Sequence, residues 1–355
     1  MKSLIIPVAG QSSRYPGMRP KWLLTMPDGS LMIEKSVALF DLSKFNKIII
    51  IALKQHVTKF TSQKILNNIL KKNISKKINL ILLEKPTTCQ AETVMRGLKL
   101  AKLKGGILIK DADNIFDQKI SKKNLNQISV INTKKIDLID AKNKSYISFD
   151  KLGKVTNIVE KKVISDYFCN GAYEFKSSIE FIKYAQNCLK ISKDVYISDV
   201  IYSMILDNHT FSYTEAFNYI DWGTLREFKN YKRKFFTIFF DFDGCLVKNS
   251  SKFSKNPWQM LPIDENLKCI RNLQKIINIE LIITTSRPKN EKIKIVKFLK
   301  KYDIKFKDII TGLMHSKRIL VNDFAETNPY PSSIAVNIPR NDTGLSSILD
   351  SILKN

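Results

Sequence analysis

Residues 4–22 read LIIPVAGQSSRYPGMRPKW, an aliphatic run that stops on Ala9 and Gly10 and then presents Arg14 and, behind Pro20, Lys21. A short apolar run bounded by turn residues reads as a buried strand. A small-residue turn at its end lets backbone N–H groups approach phosphate oxygens, and Arg14 and Lys21 are spaced to neutralise the outer phosphates of a polyphosphate. A small-residue turn by itself is ordinary punctuation; the Arg-x5-Pro-Lys spacing makes the stretch specific. Working outward, KIIIIAL (47–53), INLILLE (78–84) and GILIKDAD (106–113) are further strand runs, and TVMRGLKLAK (93–102) is helical. Strands alternating with helices predict an α/β fold, a mostly parallel sheet with helices on both faces. At 145–162, SYISFDKLGKVTNIVEKK alternates with period two around Leu152-Gly153, which predicts a hairpin.

A second decisive stretch is IFFDFDG at 238–244. It would deliver Asp241 and Asp243 to one face of a strand's end, a carboxylate nucleophile with a second carboxyl beside it. The Lys- and Arg-dense FKNYKRKFF (228–236) precedes it, so the expected domains are 1–232 and 233–355. Beyond it, ENLKCIRNLQKII (265–277) and EKIKIVKFLKKY (291–302) read as helices. IELIITTSRP (279–288), RILVNDF (318–324) and SSIAVNI (332–338) read as strands of a second, smaller α/β sheet.

The net charge is +26, yet only nine of the 59 basic residues are Arg, and the Lys excess is spread along the whole chain. Binding modules for nucleic acid use base-reading Arg and interleaved aromatics, so this charge argues against a nucleic-acid partner and for modest attraction of phosphate-bearing substrates. No run approaches the ~20 apolar residues of a membrane span, and Met1–Gly10 leads straight into the first motif, so the expectation is a cytoplasmic protein without membrane insertion. The five cysteines are scattered and never in CxxC spacing, which argues against disulfides and zinc.

The loop Gly10-Gln11-Ser12-Ser13-Arg14 followed by Pro20-Lys21 resembles the signature of the sugar-phosphate nucleotidyltransferases, with Ser12 standing where the loop's second glycine is usual. The resemblance extends to ILIKDADNIF (107–116) and NYIDWGTLREF (218–228). It implies that Ala9, Gly10, Ser12, Ser13, Arg14, Lys21 and Gln90 bind an NTP, and that Asp111, Asp113 and Asp221 hold Mg²⁺. Gln90 lies in TTCQAETV, where Cys89 replaces a usual glycine; CTP is placed ahead of the other nucleotides. Lys161 in VEKK, with Gly171, would hold the phosphate of a sugar or polyol phosphate, although in so Lys-rich a chain Lys161 reads equally as a solvated hairpin residue. The implied reaction is attack of that phosphate on the NTP, with release of pyrophosphate and no nucleophilic side chain.

DFDGCL, Thr284-Thr285-Ser286-Arg287 and ILVNDF resemble the haloacid-dehalogenase-like phosphatases across 235–340. That resemblance implies Asp241 as nucleophile, Asp243 as acid and base, and Thr285 as phosphoryl holder. Asp323 would complete a Mg²⁺ site with Asp241 and Asp243. Lys317 stands nearest the family's lysine, with Arg318 and His315 as competing cations. About forty residues separate the first two motifs, leaving no room for a cap domain. The expected protein is bifunctional: a nucleotidyltransferase fused to an uncapped phosphatase acting on a phosphorylated small molecule of one surface-polysaccharide pathway, and compatible with a homo-oligomer. Two readings compete, a transferase whose second domain is catalytically silent or regulatory, and a nucleotide sensor without turnover.

Overall fold

The computed structural model describes residues 2–136, 140–323 and 333–353. The chain divides into two compact units, Met1–Phe228 and Lys229–Asn355.

In the first unit, strands β1 (Lys2–Val8), β2 (Lys47–Leu53) and β3 (Ile78–Leu83) and strand β4 (Gly106–Lys110) form a parallel block in the order β4-β1-β2-β3. These strands alternate inward on two faces, as a sheet buried on both sides requires. Ile5, Ile49 and Ile51 enter one core with Val94, Leu98, Phe181 and Val200. Their neighbours Leu4, Ile6, Ile48 and Ile50 enter the other with Ile33, Val57, Leu66 and Leu70. The second face is covered by helices α1 (Met32–Ser36), α2 (Lys54–Phe60) and α3 (Gln63–Asn73). The first is covered by α4 (Gln90–Leu100), α5 (Ser178–Ile191) and α6 (Ile197–Leu206). Gly97 lets α4 lie directly on β2, since a Cβ there would overlap the Ile51 side chain.

Beyond β4 the sheet is mixed. Strands β5 (Asn114–Asp117), β6 (Gln127–Asn132), β7 (Ser145–Phe149) and β8 (Val155–Glu160) precede β9 (Tyr167–Phe175), which runs antiparallel to both β4 and β6. β10 (Ser212–Glu215) then adds parallel to β6. The expected hairpin is β7–β8, turning at Gly153 with φ +78°, and it is tied to the sheet through Tyr146 opposite Phe168. β11 (Phe217–Asp221) pairs antiparallel with β5 as a separate ribbon.

A buried ion pair, Lys2 with Glu174, joins β1 to β9; Lys2 also donates to Ser121 O (2.9 Å), and Glu174 accepts from Leu125 N (2.9 Å). Lys2→Met alone should destabilise this unit by about 3–5 kcal/mol, because it strands a buried carboxylate. Lys2→Met with Glu174→Met should recover most of that loss in urea denaturation.

Helix α7 (Leu225–Lys232) carries the chain across the division to β12 (Phe235–Asp241). Helix α8 (Asp264–Ile276), β13 (Asn278–Thr284), α9 (Lys292–Lys301), β14 (Asp308–Ile310) and α10 (Leu345–Leu353) follow. The sheet order is β12-β13-β14, all parallel, around a core of Phe240, Phe242, Leu267, Ile283, Ile295 and Leu299.

Here the structure corrects two expectations. Residues 318–323 of RILVNDF form no strand, and Ile319 and Val321 are 86% and 89% exposed. Residues 333–338 of SSIAVNI are likewise irregular, apart from Ile338, which packs on the core. Both runs have strand-like composition, but a strand exists only through its ladder partner. Among the described residues, β12 bonds to β13 alone. Phe324 and Ser332 of these two motifs lie outside the described residues.

Candidate active site

A cleft of about 880 Å³ opens in the first unit, and Gly10, Ser12, Ser13, Arg14, Lys21, Gln90, Asp111, Asp113, Lys161, Gly171 and Asp221 all line it. Ala9 does not; it is buried in the core at the end of β1.

The loop after β1 owes its shape to Ser12, whose φ of +54° is left-handed. That backbone is the one a glycine would favour there. Ser12 returns something for the strain: its Oγ accepts from Lys21 N (3.1 Å), tying the loop to Pro20-Lys21. Tyr15 closes the other side. Its hydroxyl donates to Trp222 O and lies 3.0 Å from Thr224 O, joining the loop to the Asp-Trp-Gly-Thr stretch. Burial, reinforced by Asp113, Glu227 and Asp221, pushes the Tyr15 phenol well above its ordinary range, so it remains a donor.

The β5–β11 ribbon explains why residues over a hundred positions apart meet. Asp221 pairs with Asn114, next to Asp113, and Trp222 N donates to Asp113 O at 2.7 Å. Asp111, one residue past β4, donates its backbone N–H to Gly171 O (2.9 Å). Gly171 has φ +88°, and a Cβ on it would overlap the Asp111 carboxyl. Gln90, at the first turn of α4, donates to Asp111 Oδ1.

Three lysines attend these three carboxylates. Lys21 pairs with Asp113 and Lys144 with Asp221. Lys110 is fully buried, and its Nζ donates to Asp111 O (2.6 Å), Asn114 O (3.0 Å) and Asn114 Oδ1 (2.5 Å). Burial and the neighbouring Asp113 push Asp111 up to about 6. Burial acts the same way on Asp113, but Lys21 outweighs it and holds that carboxyl down at about 2. Asp221 also accepts from Tyr219 OH (3.0 Å) and Gly223 N (2.8 Å).

Among the described residues, no group of three or more His, Cys, Asp or Glu side chains is arranged to hold a metal. The donor set nevertheless suits Mg²⁺. Hard carboxylate oxygens are its ligands, and it is held by one or two of them together with substrate phosphates rather than by an all-protein cage. Asp111 and Asp221 supply that pair in a cleft large enough for the phosphates.

At the far side of the cleft, Glu160 accepts from Ser145 and from Ser198 Oγ (2.7 Å), while Lys161 donates to Tyr196 OH at 2.5 Å. Sequence reasoning missed Tyr15, Lys144, Tyr196, Ser198 and Tyr219. Nothing in their spacing marks them: Lys144 and Tyr219 come in through the hairpin and ribbon pairings, Tyr196 and Ser198 through the start of α6, and Tyr15 through its bonds to the Trp222–Thr224 stretch.

In the second unit, Asp241 ends β12 and Thr285 follows β13. Thr285 Oγ1 donates to Asp243 Oδ2 (2.8 Å). Arg287, with no exposed surface, grips the same carboxylate through Nε (3.0 and 3.1 Å) and Nη2 (2.7 Å). The rest of its guanidinium donates to Trp258 O (2.6 Å) and Gln259 O (2.8 Å). Arg318 Nη2 lies 3.2 Å from Asp241 Oδ1, and Lys317 is exposed. Burial pushes the Asp241 carboxyl up, partly countered by Arg318. Asp323 is exposed on the irregular 318–323 segment rather than at a strand end.

No helix among the described residues is long and apolar enough to cross a membrane. No protein-family model matches the chain, and no curated protein matches it. Solved structures do. A nucleoside-diphosphate-sugar pyrophosphorylase of Vibrio cholerae RC9 is 21% identical with TM-score 0.56, over 65% of this chain and 99% of that one. A protein of Bacillus anthracis assigned as a glucose-1-phosphate thymidylyltransferase, in complex with a sucrose, is 19% identical with TM-score 0.53, over 65% and 93%. A UDP-glucose pyrophosphorylase complexed with UDP-glucose is 14% identical with TM-score 0.51, over 65% and 97%. The first unit, 228 of 355 residues, is of about the same size as the matched share. What these likenesses establish is a fold: about two thirds of the chain is built like a nucleotide-sugar pyrophosphorylase.

Proposed function

We propose that the first unit transfers a nucleotidyl group from an NTP to a sugar or polyol phosphate and releases pyrophosphate. The observation that carries this reading is the convergence of Lys21, Asp111, Asp113 and Asp221 with the Gly10–Arg14 loop on one cleft. In the reaction, an oxygen of the acceptor phosphate bonds to the α-phosphorus, and the bond from α-phosphorus to the bridging oxygen breaks with its electron pair leaving on pyrophosphate. Asp111 and Asp221 would hold Mg²⁺, which when bound lowers the charge repulsion between the two anions. The chain's own work is positioning: the loop amides and Arg14 cradle the triphosphate, Lys21 meets its outer phosphates, and Lys161 meets the acceptor. CTP remains the preferred nucleotide of this reading, and its product class suits surface-polysaccharide assembly. The assay is pyrophosphate release from four NTPs crossed with sugar and polyol phosphates. Lys21→Ala should then lower kcat/KM for the NTP by about 10²–10³-fold, the scale of one lost charge-stabilising donor; an unchanged value would remove Lys21 from the site.

For the second unit, the reading is a Mg²⁺-dependent phosphatase using Asp241 as nucleophile and Asp243 as acid and base, with Thr285 on the phosphoryl group. The placement of Asp241, Asp243 and Thr285 at adjacent strand ends supports it. A specific observation favours the alternative of a silent or regulatory unit: the Asp243 carboxylate is held by the fully buried Arg287 through Nε and Nη2.

A further inference from the structure

Lys144 belongs to none of the motifs, yet it lines the first cleft. Its Nζ donates to Asp221 and to Tyr219 OH (2.9 Å), lies 5.3 Å above the Tyr219 ring, and its side chain is 15% exposed. Three ammonium groups (Lys21, Lys110, Lys144) thus balance three carboxylates (Asp111, Asp113, Asp221). They are not equivalent. Lys110 is wholly buried with its donors spent on Asp111 O and Asn114, so it is fixed. Lys21 and Lys144 keep part of their surface on the cleft and are held there chiefly by carboxylates.

A divalent cation entering at Asp221 must displace the ammonium group already on that carboxylate, because like charges at contact distance repel. The displaced group then needs a new anion. Lys144 lies at the mouth of the hairpin, where its backbone carbonyl accepts from Lys161 N at 3.0 Å, so the two lysines leave the same end of β7 and β8. The anion within its reach is therefore the one that Lys161 is placed to meet.

Resting on the transferase reading, we propose that Lys144 is an internal counter-ion for Asp221. It yields that carboxylate to the divalent cation and transfers its own charge to the incoming acceptor phosphate. Asp221 is thereby kept paired while the cleft is empty, and a cation is released where the second anion arrives. Lys144 is thus a residue for the acceptor, whereas Lys21 serves the NTP.

The test is Mn²⁺ affinity of the full chain without nucleotide, measured by EPR of free Mn²⁺, for wild type, Lys144→Gln and Lys144→Arg. Removing the competing charge should tighten Mn²⁺ binding about 10-fold in Lys144→Gln. The guanidinium fork, a better carboxylate partner, should weaken it several-fold in Lys144→Arg. In turnover, Lys144→Gln should lower kcat/KM for the acceptor phosphate by about 10²-fold and leave KM for the NTP within about 3-fold. Mn²⁺ affinity unchanged or weaker in Lys144→Gln overturns the proposal, as does a loss that falls on the NTP instead. If Lys144→Gln does not fold, Lys144→Arg decides alone, and affinity equal to or tighter than wild type in it overturns the proposal. Wild type that releases no pyrophosphate from any NTP sinks the transferase reading and the acceptor role with it, whereas the order of Mn²⁺ affinities still decides the counter-ion role.

Discussion

Asp221→Asn should reduce pyrophosphate release at least ~10³-fold while leaving any phosphatase activity on a generic aryl phosphate unchanged. The reduction is the loss of about 4 kcal/mol of transition-state charge stabilisation, the scale of a metal-borne contribution. Asp221 Oδ1 is already bonded to Gly223 N and Oδ2 to Tyr219 OH and Lys144. A neutral amide can keep an acceptor toward only part of that set, and it carries no charge for a cation. The fold should survive, because Asp221 ends a short ribbon strand and belongs to neither core. Matched loss of both activities would instead indicate misfolding.

The second large effect is expected at Asp241. Asp241→Asn should abolish phosphate release from aryl phosphates and leave nucleotidyl transfer intact, because an amide cannot form the acyl-phosphate bond. The carboxylate lies at the end of β12 with Arg318 at 3.2 Å to draw in a phosphate dianion. Borohydride reduction during turnover, followed by mass spectrometry, should mark Asp241 alone. Phosphate release that persists in Asp241→Asn would remove the aspartyl-phosphate mechanism and favour the silent second unit. So would wild type with no phosphatase activity at all, an outcome consistent with Arg287 holding Asp243 through its fully buried guanidinium.

How much of this was legible in the chain follows from which interactions are local. The strand and loop at 4–22, the parallel block and the hairpin could be read because periodicity and turn chemistry are properties of contiguous residues. The reversal at β9 could not, since NGAYEF looks the same whichever way its neighbours run. Lys144 and Tyr219 were silent for the same reason: each acquires meaning from a strand pairing, Ser145 with Glu160 and Asp221 with Asn114. Ser12 is instructive in the opposite sense. It departs from the glycine its loop would favour, yet it adopts the left-handed backbone and adds a bond to Lys21 N. RILVNDF shows the limit of composition, because an apolar run reads as a strand with or without a partner strand to bond.

The central claim, direct transfer in the first cleft, is tested most directly by single turnovers with α-³²P-labelled CTP, ATP, GTP or UTP, Mg²⁺ and a panel of sugar and polyol phosphates, using Asp241→Asn so that no phosphatase can consume the product. The label should pass to one acceptor with stoichiometric release of pyrophosphate, and none should be retained by the protein. Label trapped on the chain, or no transfer from CTP, ATP, GTP or UTP to any acceptor at enzyme excess, would contradict the account.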